Sequence, residues 1–256
     1  MRRLFIAVAL AAAAVAGIAA QDFEKIDALH DDRKLDEEIS TLKPYYKASD
    51  PQAAIVWRMI RAMQEKAVQM PSSKKKERLE QFDAALSYAQ PLLDSAKGNA
   101  RDRAKVLYYY GVALGQKGQA MGVLNSLFMA GDIKSACDRS IAVDPTYGDP
   151  YYLKAKVDDA IPEIAGGDKT RMGQLYAKAL QYDPGNLYFL TDFAKALKAR
   201  NKDAKWNDGS KGVPAGRTDL DYAKEIAKRA YAAFAAIKAP TIDEREKMDQ
   251  MKAAGL

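Results

Sequence analysis

Apolar residues recur at helical spacing along almost the whole chain. From Phe23 onward they fall three and four positions apart, and no segment shows the sustained alternation of apolar and polar residues that marks a strand. Proline and glycine interrupt this pattern, mostly every 12 to 25 residues, at Pro44, Pro51, Pro71, Gly98, Gly131, Pro145, Gly166, Pro184 and Pro240. A helix of this length with one apolar stripe buries it against a neighbour. The sequence therefore predicts an all-α fold of stacked antiparallel helix pairs.

Two segments of the chain repeat one another. Residues 136–145 and 176–184 each end in Asp-Pro and precede an aromatic-rich helix. A small residue lies five positions before each proline, Ser140 in one segment and Ala179 in the other. A bulkier residue lies eight positions before it, Cys137 and Tyr176 respectively. This pattern resembles the tetratricopeptide repeat, in which the small residue lets two helix backbones approach while bulky ones fill the space beside it.

The helices on either side carry the other half of that repeat. A first helix shows large, large, small and large residues at relative positions 0, 3, 4 and 7. Two segments match fully, with Leu107, Tyr110, Gly111 and Leu114 in one and Leu190, Phe193, Ala194 and Leu197 in the other. Trp57 with Ile60, and Phe82 with Ala85, indicate an earlier degenerate repeat.

The resemblance implies a right-handed superhelical array of helix pairs. We expect three to five pairs over 30–237, with a non-standard connection around 117–131. The prolines 145 and 184 are 39 residues apart, where a standard repeat has 34.

The first twenty residues form a predicted signal peptide outside the fold. Arg2 and Arg3 precede an unbroken apolar run, residues 4–20, that ends in small residues, as a secretory signal does. Cleavage there leaves one repeat domain over 21–256. It would be exported to the periplasm or cell envelope and soluble, since no lipidation cysteine stands at the cleavage point. The paired arginines leave both the general secretory and the twin-arginine route open.

Composition excludes several kinds of chemistry. One cysteine, Cys137, and one histidine, His30, rule out Cys/His metal sites, disulfide frameworks and any catalytic triad not built on His30. Cys137 is predicted to be buried and His30 to lie at the surface. The stretch 166–170 is predicted as a helix stop followed by Asp168 as an N-cap, since it lacks a phosphate-loop pattern. We expect no enzyme, no cofactor and no metal.

Charge and alanine content refine the picture slightly. Without the two leader arginines, 38 basic residues face 34 acidic ones, a net charge of +4, and they are mostly interspersed. A nucleic-acid partner is therefore not expected. Of the 46 alanines, nine lie in the leader; many others fall at small-residue positions of the repeat.

A row of aromatic residues is the main candidate binding surface. In tetratricopeptide arrays the first helices line a concave groove, and the groove position follows the first bulky core residue. Tyr108, Tyr152 and Thr191 occupy that position, with Tyr188 one turn before Thr191. Lys156 and Lys195 lie one turn further on, and Arg58 is the equivalent residue if Trp57 is core. Tyrosine and lysine together suit an amphipathic acid. The alternative is that the tyrosines only pack between helices.

The remaining segments leave two questions open. The irregular stretch 201–217 is long for a compact helical array, and its Trp206 either covers the binding surface or plugs the end of the array. The polar segment 240–256 is predicted to be a terminal helix, either a cap or a loose tail.

Two family resemblances follow from local motifs. The run Leu-Tyr-Tyr-Tyr-Gly at 107–111, the segment 161–168 and the Leu-Tyr-Ala-Lys-Ala-Leu helix at 175–180 resemble the TatT family of periplasmic proteins associated with TRAP transporters. That resemblance, over about 100–235, implies a tetratricopeptide-like fold and a trimer. It also implies association with a periplasmic solute-binding protein that captures organic acids or other hydrophobic carboxylates.

The segment 57–62, with the two Asp-Pro helices, is more weakly similar to the regulator-of-microtubule-dynamics family. A signal peptide makes that family's eukaryotic roles hard to transfer.

Three functional hypotheses follow, none of them enzymatic. The leading one is an exported adaptor whose groove holds a protein partner, such as a TRAP-type solute receptor. The second is a carrier that takes a hydrophobic or carboxylate small molecule into the Tyr/Lys groove. The third is a structural protein of the cell envelope. Fold similarity does not distinguish them.

Overall fold

The computed structural model describes residues 23–256, so the predicted signal peptide over 1–20 lies outside the described residues. The described part of the chain is all-helical, with 11 helices and no strand, which confirms the predicted fold class. The first helix, α1, covers 23–31. The others are α2 (Leu35–Leu42), α3 (Ala53–Gln69), α4 (Lys75–Ala89), α5 (Ala100–Met121), α6 (Val123–Val143), α7 (Asp149–Ala160), α8 (Lys169–Tyr182), α9 (Leu187–Arg200), α10 (Asp219–Ala236) and α11 (Ile242–Ala253).

The helices pack as neighbouring pairs. α3 packs on α4, α5 on α6, α7 on α8, and α9 on α10, while α3 with α5, α6 with α7 and α8 with α9 join the pairs. Their buried side chains form two cores. One extends from Ile26 to Cys137, and the other from Tyr152 to Met251.

Small residues allow the close packing that the repeat pattern predicts. Ser140, Ala155, Ala179 and Ala194 are all fully buried. A Cβ at Gly111 would lie 3.4 Å from Ala136 Cβ and from Leu153 Cδ2, which is contact distance. The buried Ser140 Oγ donates a hydrogen bond to the Ala104 carbonyl at 2.7 Å. Cys137 is fully buried as predicted, and burial raises the pKa of its thiol to about 12.

One predicted break is helical instead. Gly131 does not break the chain but lies inside α6. The non-standard connection expected around 117–131 is very short. Gly122, at φ 117°, is the single residue between α5 and α6. A mid-helix glycine costs about 1 kcal/mol, and the extensive packing of α6 on α5 outweighs that cost.

Polar caps and prolines define the other helix boundaries. Asp168 accepts hydrogen bonds from the backbone N–H groups of Thr170 and Arg171, as predicted for an N-cap. Thr241 and Glu244 form a reciprocal capping box at the start of α11. Pro145 and Pro184 follow the ends of α6 and α8, where the sequence places them.

The last two segments are packed rather than loose. The stretch 201–217 is irregular but docks on α8, because a Cβ at Gly173 would lie 2.2 Å from the Lys211 carbonyl oxygen. α11 packs on α9 and buries Met248 and Met251, so it is a docked terminal helix. Within residues 23–256, no helix has the length and apolar character needed to span a bilayer.

Candidate ligand cavity and its lysine cluster

Three lysines from three helices surround one buried carboxylate. Asp192 on α9 is 7% exposed. The Nζ of Lys195 lies 2.9 Å from its Oδ1, that of Lys156 on α7 lies 3.2 Å from its Oδ2, and that of Lys247 on α11 lies 3.0 Å from both oxygens. The Tyr152 hydroxyl also donates to Asp192 Oδ2, at 2.6 Å. One carboxylate thus faces three ammonium groups, which leaves two positive charges uncompensated.

This cluster lines a cavity of about 440 Å³, here called the lysine cavity. Its other polar lining residues do not neutralise the excess charge. Asp159 is paired with Lys169 at 2.7 Å, and Gln250 is uncharged and accepts from Lys195 at 3.3 Å. The lysine cavity is therefore an electropositive site suited to an anion.

The pKa values in the cluster reflect this crowding. Burial alone would raise the pKa of Asp192, but Lys156, Lys247 and the Tyr152 hydroxyl hold it well below its usual range. Burial lowers the pKa of Lys247, and the like charges of Lys156 and Lys195 lower it further against the attraction of Asp192. An added anion would relieve that repulsion.

A second cavity, of about 380 Å³, adjoins the first through Lys156 and Lys247 and is here called the tyrosine cavity. Five of its lining residues are aromatic: Tyr108, Tyr109, Tyr152, Tyr188 and Phe189. Three others are acidic: Glu65, Asp149 and Asp243. The Lys247 ammonium lies 5.6 Å from the centre of the Tyr188 ring. Tyr152 packs on Phe189 with ring centres 4.9 Å apart. The tyrosines therefore pack against neighbouring side chains and also line this cavity.

A third cavity, of about 230 Å³, has mainly aliphatic walls and is here called the apolar cavity. It lies between α5, α6 and α7, and its aliphatic lining consists of Val112, Ala130, Ile133, Leu153, Val157, Ala160 and Ile161. Lys156 lines all three cavities, and Tyr108 and Tyr152 line both the tyrosine and the apolar cavity. Lys156 therefore contributes to the walls of both the apolar cavity and the lysine cavity.

A buried ionic network closes the N-terminal side of the tyrosine cavity. His30 Nδ1 lies 2.8 Å from Glu38 and its Nε2 lies 3.2 Å from Glu65, while Arg61 is 2.8 Å from both Glu38 and Asp27. Burial would lower the pKa of His30, but the hydrogen bonds with Glu38 and Glu65 raise it to about 9. The prediction that His30 is a surface residue was wrong, because α1, α2 and α3 enclose it.

The structure places five of the seven predicted groove residues around these connected cavities. They are Tyr108, Tyr152, Lys156, Tyr188 and Lys195. Two lie elsewhere. Arg58 is buried against Asp27 at 2.8 Å, and its guanidinium covers the Phe23 ring. Trp206 covers the guanidinium of Arg200, which is paired with Asp219, so it packs on the ends of α9 and α10.

Sequence reasoning missed Asp192 and Lys247. Asp192 directly follows Thr191, the position that the repeat pattern assigns to the groove. That neighbour was the only feature of the sequence that could have indicated Asp192. In the structure Thr191 is itself buried. Lys247 lies on α11, which follows no repeat register, so its approach to Asp192 depends on tertiary packing. Among residues 23–256, no group of His, Cys, Asp and Glu side chains is arranged to hold a metal ion.

The described part of the chain is thus all-helical, with adjoining cavities that are lined by lysine, aromatic and acidic side chains. Residues 22–156 match the family model for regulator of microtubule dynamics protein 1-3, RMD1-3. This is more than half of the chain, and the protein belongs to that family. The match covers the first core and most of α7. Comparison with curated proteins gave no match.

Proposed function

We propose that the protein is a non-enzymatic carrier for an organic acid with an apolar body. The carboxylate would bind the cluster of Lys156, Lys195 and Lys247, and the apolar body would occupy the apolar cavity. The observation that carries this proposal is the excess of two positive charges around Asp192, beside an aliphatic chamber.

The geometry favours this carrier over a protein adaptor. The cavities are of small-molecule size, and α11 brings Lys247 to 3.0 Å from Asp192 and 5.6 Å from the centre of the Tyr188 ring, between the two cavities. An adaptor for a TRAP-type solute receptor, a trimer and a structural envelope role stay hypotheses for this chain. The predicted signal peptide would place the carrier in the periplasm or cell envelope.

Calorimetric titration with straight-chain monocarboxylates of four to twelve carbons tests the proposal. Affinity is expected to rise about fourfold per methylene, at roughly 0.8 kcal/mol for each buried CH₂, until the apolar cavity is full. Octanol, which has the same chain without the charge, is expected to bind at least tenfold more weakly than octanoate.

Matched variants identify the site. Lys156→Met and Lys247→Met are each expected to weaken octanoate binding by roughly 10- to 100-fold, since a charged hydrogen bond contributes about 1.5–3 kcal/mol. Lys228→Met, on the exposed face of α10, is the control and should not change affinity. Asp192→Asn removes the internal competitor and should tighten binding. Equal affinity for octanol and octanoate, or equal loss in the Lys228 control, would contradict the proposal.

A further inference from the structure

In the described part of the chain, one carboxylate of the tyrosine cavity has no cationic partner. Asp149, at the start of α7, is partly buried and lines this cavity. The neighbouring Lys105 does not pair with it, because its ammonium lies 4.2 Å from the centre of the Trp57 ring. Burial raises the pKa of Asp149 to about 6, although its own backbone N–H and the Tyr147 hydroxyl donate hydrogen bonds to it. It is therefore mostly ionised at neutral pH, and a buried charge without a counter-ion is costly.

The charged groups on the N-terminal side of the tyrosine cavity compensate one another. His30 lies 2.8 Å from Glu38 and 3.2 Å from Glu65. Arg61 lies 2.8 Å from the same Glu38. Two cations therefore face two carboxylates, and this network neither repels nor replaces a counter-ion for Asp149.

The remaining charges of the cavity come from α7 and α11. Asp243 is paired with Arg33. Lys156 and Lys247 share one carboxylate, that of Asp192, at 3.2 Å and 3.0 Å. The tyrosine cavity thus has an unpaired carboxylate at the start of α7 and the excess positive charge of the lysine cluster further along.

One face of α7 carries both of these charges. Asp149, Tyr152 and Lys156 follow one another at spacings of three and four residues, so they share a face of the helix. All three line the tyrosine cavity. The seven residues from Asp149 to Lys156 cover about 10 Å of helix axis. Tyr152 lies between them, and its hydroxyl is 3.3 Å from Lys156 Nζ. The two opposite charges are therefore within reach of a single small molecule.

Aromatic rings surround the unpaired carboxylate. Tyr108 packs edge-on against Tyr109 and Tyr147, with ring centres 4.9 Å and 5.6 Å apart. Burial raises the pKa of each of these tyrosines, and the nearby charge of Asp149 raises it further. Aromatic faces attract ammonium groups. A cationic nitrogen beside Asp149 would therefore meet both a carboxylate and aromatic rings.

From this arrangement we propose that the tyrosine cavity binds an ω-amino carboxylic acid. Its carboxylate would bind Lys156 and Lys247, its ammonium group would bind Asp149, and its methylene chain would lie against the tyrosine rings. This inference rests on the proposed function in one respect, namely that these lysines bind a carboxylate. Since Lys156 borders both cavities, a carboxylate held there can extend an alkyl chain into the apolar cavity or an aminoalkyl chain into the tyrosine cavity.

Calorimetric titration at neutral pH with pairs of equally long ligands tests this proposal. Aminobutyrate, aminohexanoate and aminooctanoate, each with a terminal amino group, are compared with pentanoate, heptanoate and nonanoate, in which a methyl group replaces the ammonium group. The gain from the ammonium group should peak at one chain length, because both binding groups are fixed on α7. At that length the amino acid is expected to bind roughly 10- to 100-fold more tightly than its partner.

Two variants with the same change of charge locate the ammonium site. Asp149→Asn should abolish the gain and leave the affinity for heptanoate nearly unchanged, which also shows that the variant is folded. Asp249→Asn, on the exposed face of α11, should keep the gain.

The outcomes separate this inference from the proposed function. Carboxylates that bind without any gain from the amino group, or a gain that survives Asp149→Asn, overturn the ammonium site alone. A gain lost equally in Asp249→Asn also overturns it. Failure of every plain carboxylate to bind would instead overturn the proposed function.

Discussion

The environment of His30 in the structure differs from the one that its neighbours in the sequence indicate. In the sequence it follows Leu29 and precedes two aspartates, a polar setting typical of a surface residue. In the fold, its two ring nitrogens lie beside Glu38 on α2 and Glu65 on α3. The carboxylate partners come from separate helices, so no local pattern could indicate them.

The pKa of His30 makes stability depend on pH in a defined window. The pKa of His30 is about 9 in the folded protein and about 6.5 in the unfolded chain. Its contribution to the free energy of unfolding is therefore complete below pH 6.5 and is lost as the pH rises to 9. The loss is expected to be at most about 3 kcal/mol. Urea unfolding of the wild type and of His30→Gln at several pH values measures it, because the two curves should converge in this window.

The histidine resonance provides an independent check of the same prediction. The chain has only one histidine, so the ring signals of untagged protein need no assignment. A midpoint near pH 9 is expected. A midpoint near 6.5 would show that the network with Glu38 and Glu65 does not hold the proton.

At the scale of helices, the spacing of apolar residues correctly predicted an all-α fold of neighbouring helix pairs. The small and bulky positions around Gly111, Ala179 and Ala194 are buried as the spacing requires, because close helix packing restricts side-chain size at those positions. The helix break predicted at Gly131 was wrong, because a glycine can either end a helix or lie exposed within one. Packing on α5, a long-range effect, decides between these outcomes.

The docked loop over 201–217 depends on two glycines that meet across elements. Gly212 is in the left-handed region at φ 77°, and a Cβ there would lie 2.0 Å from the Gly173 carbonyl oxygen. This closeness explains why an irregular segment of that length lies against α8 instead of extending into solvent.

Gly173→Ala is therefore expected to loosen this loop. Its Cβ would clash with the Lys211 carbonyl, and overpacking of this kind costs about 1–3 kcal/mol. Urea unfolding should show the lower stability, and limited trypsin digestion should cut faster at Lys205 or Lys211. The control is Gly185→Ala, where a Cβ meets nothing within 4 Å. Equal digestion rates in the two variants would argue against a docked loop.

At the scale of the whole molecule, α11 joins the two ends of the chain. Arg33, in the turn after α1, pairs with Glu246 at 2.6 Å and also contacts Asp243. These residues are partly exposed, so the pairs add little stability. What these ion pairs do is hold Lys247 in position, between the N-terminal network and Asp192. The proposed binding site would therefore be complete only when α1 and α11 are in place.

This dependence explains which part of the site the sequence predicted. Tyr108, Tyr152 and Lys156 follow the repeat register of first helices, and all three line the cavities. Lys247 lies outside any repeat, and it reaches Asp192 because α11 packs on α9. Local periodicity can predict which residues of one helix share a face but not which later helix packs against them.

The most direct test of acid binding is the ionisation of the bound ligand itself. Octanoate labelled with ¹³C at the carboxyl carbon can be titrated by NMR in the presence of the protein, over the range where the amide spectrum shows it folded. If the carboxylate lies among Lys156, Lys195 and Lys247, their excess charge should keep it ionised to a lower pH than free octanoate, and Lys247→Met should reduce that difference. A bound carboxyl group that takes up its proton at the same or a higher pH than free octanoate would contradict the account.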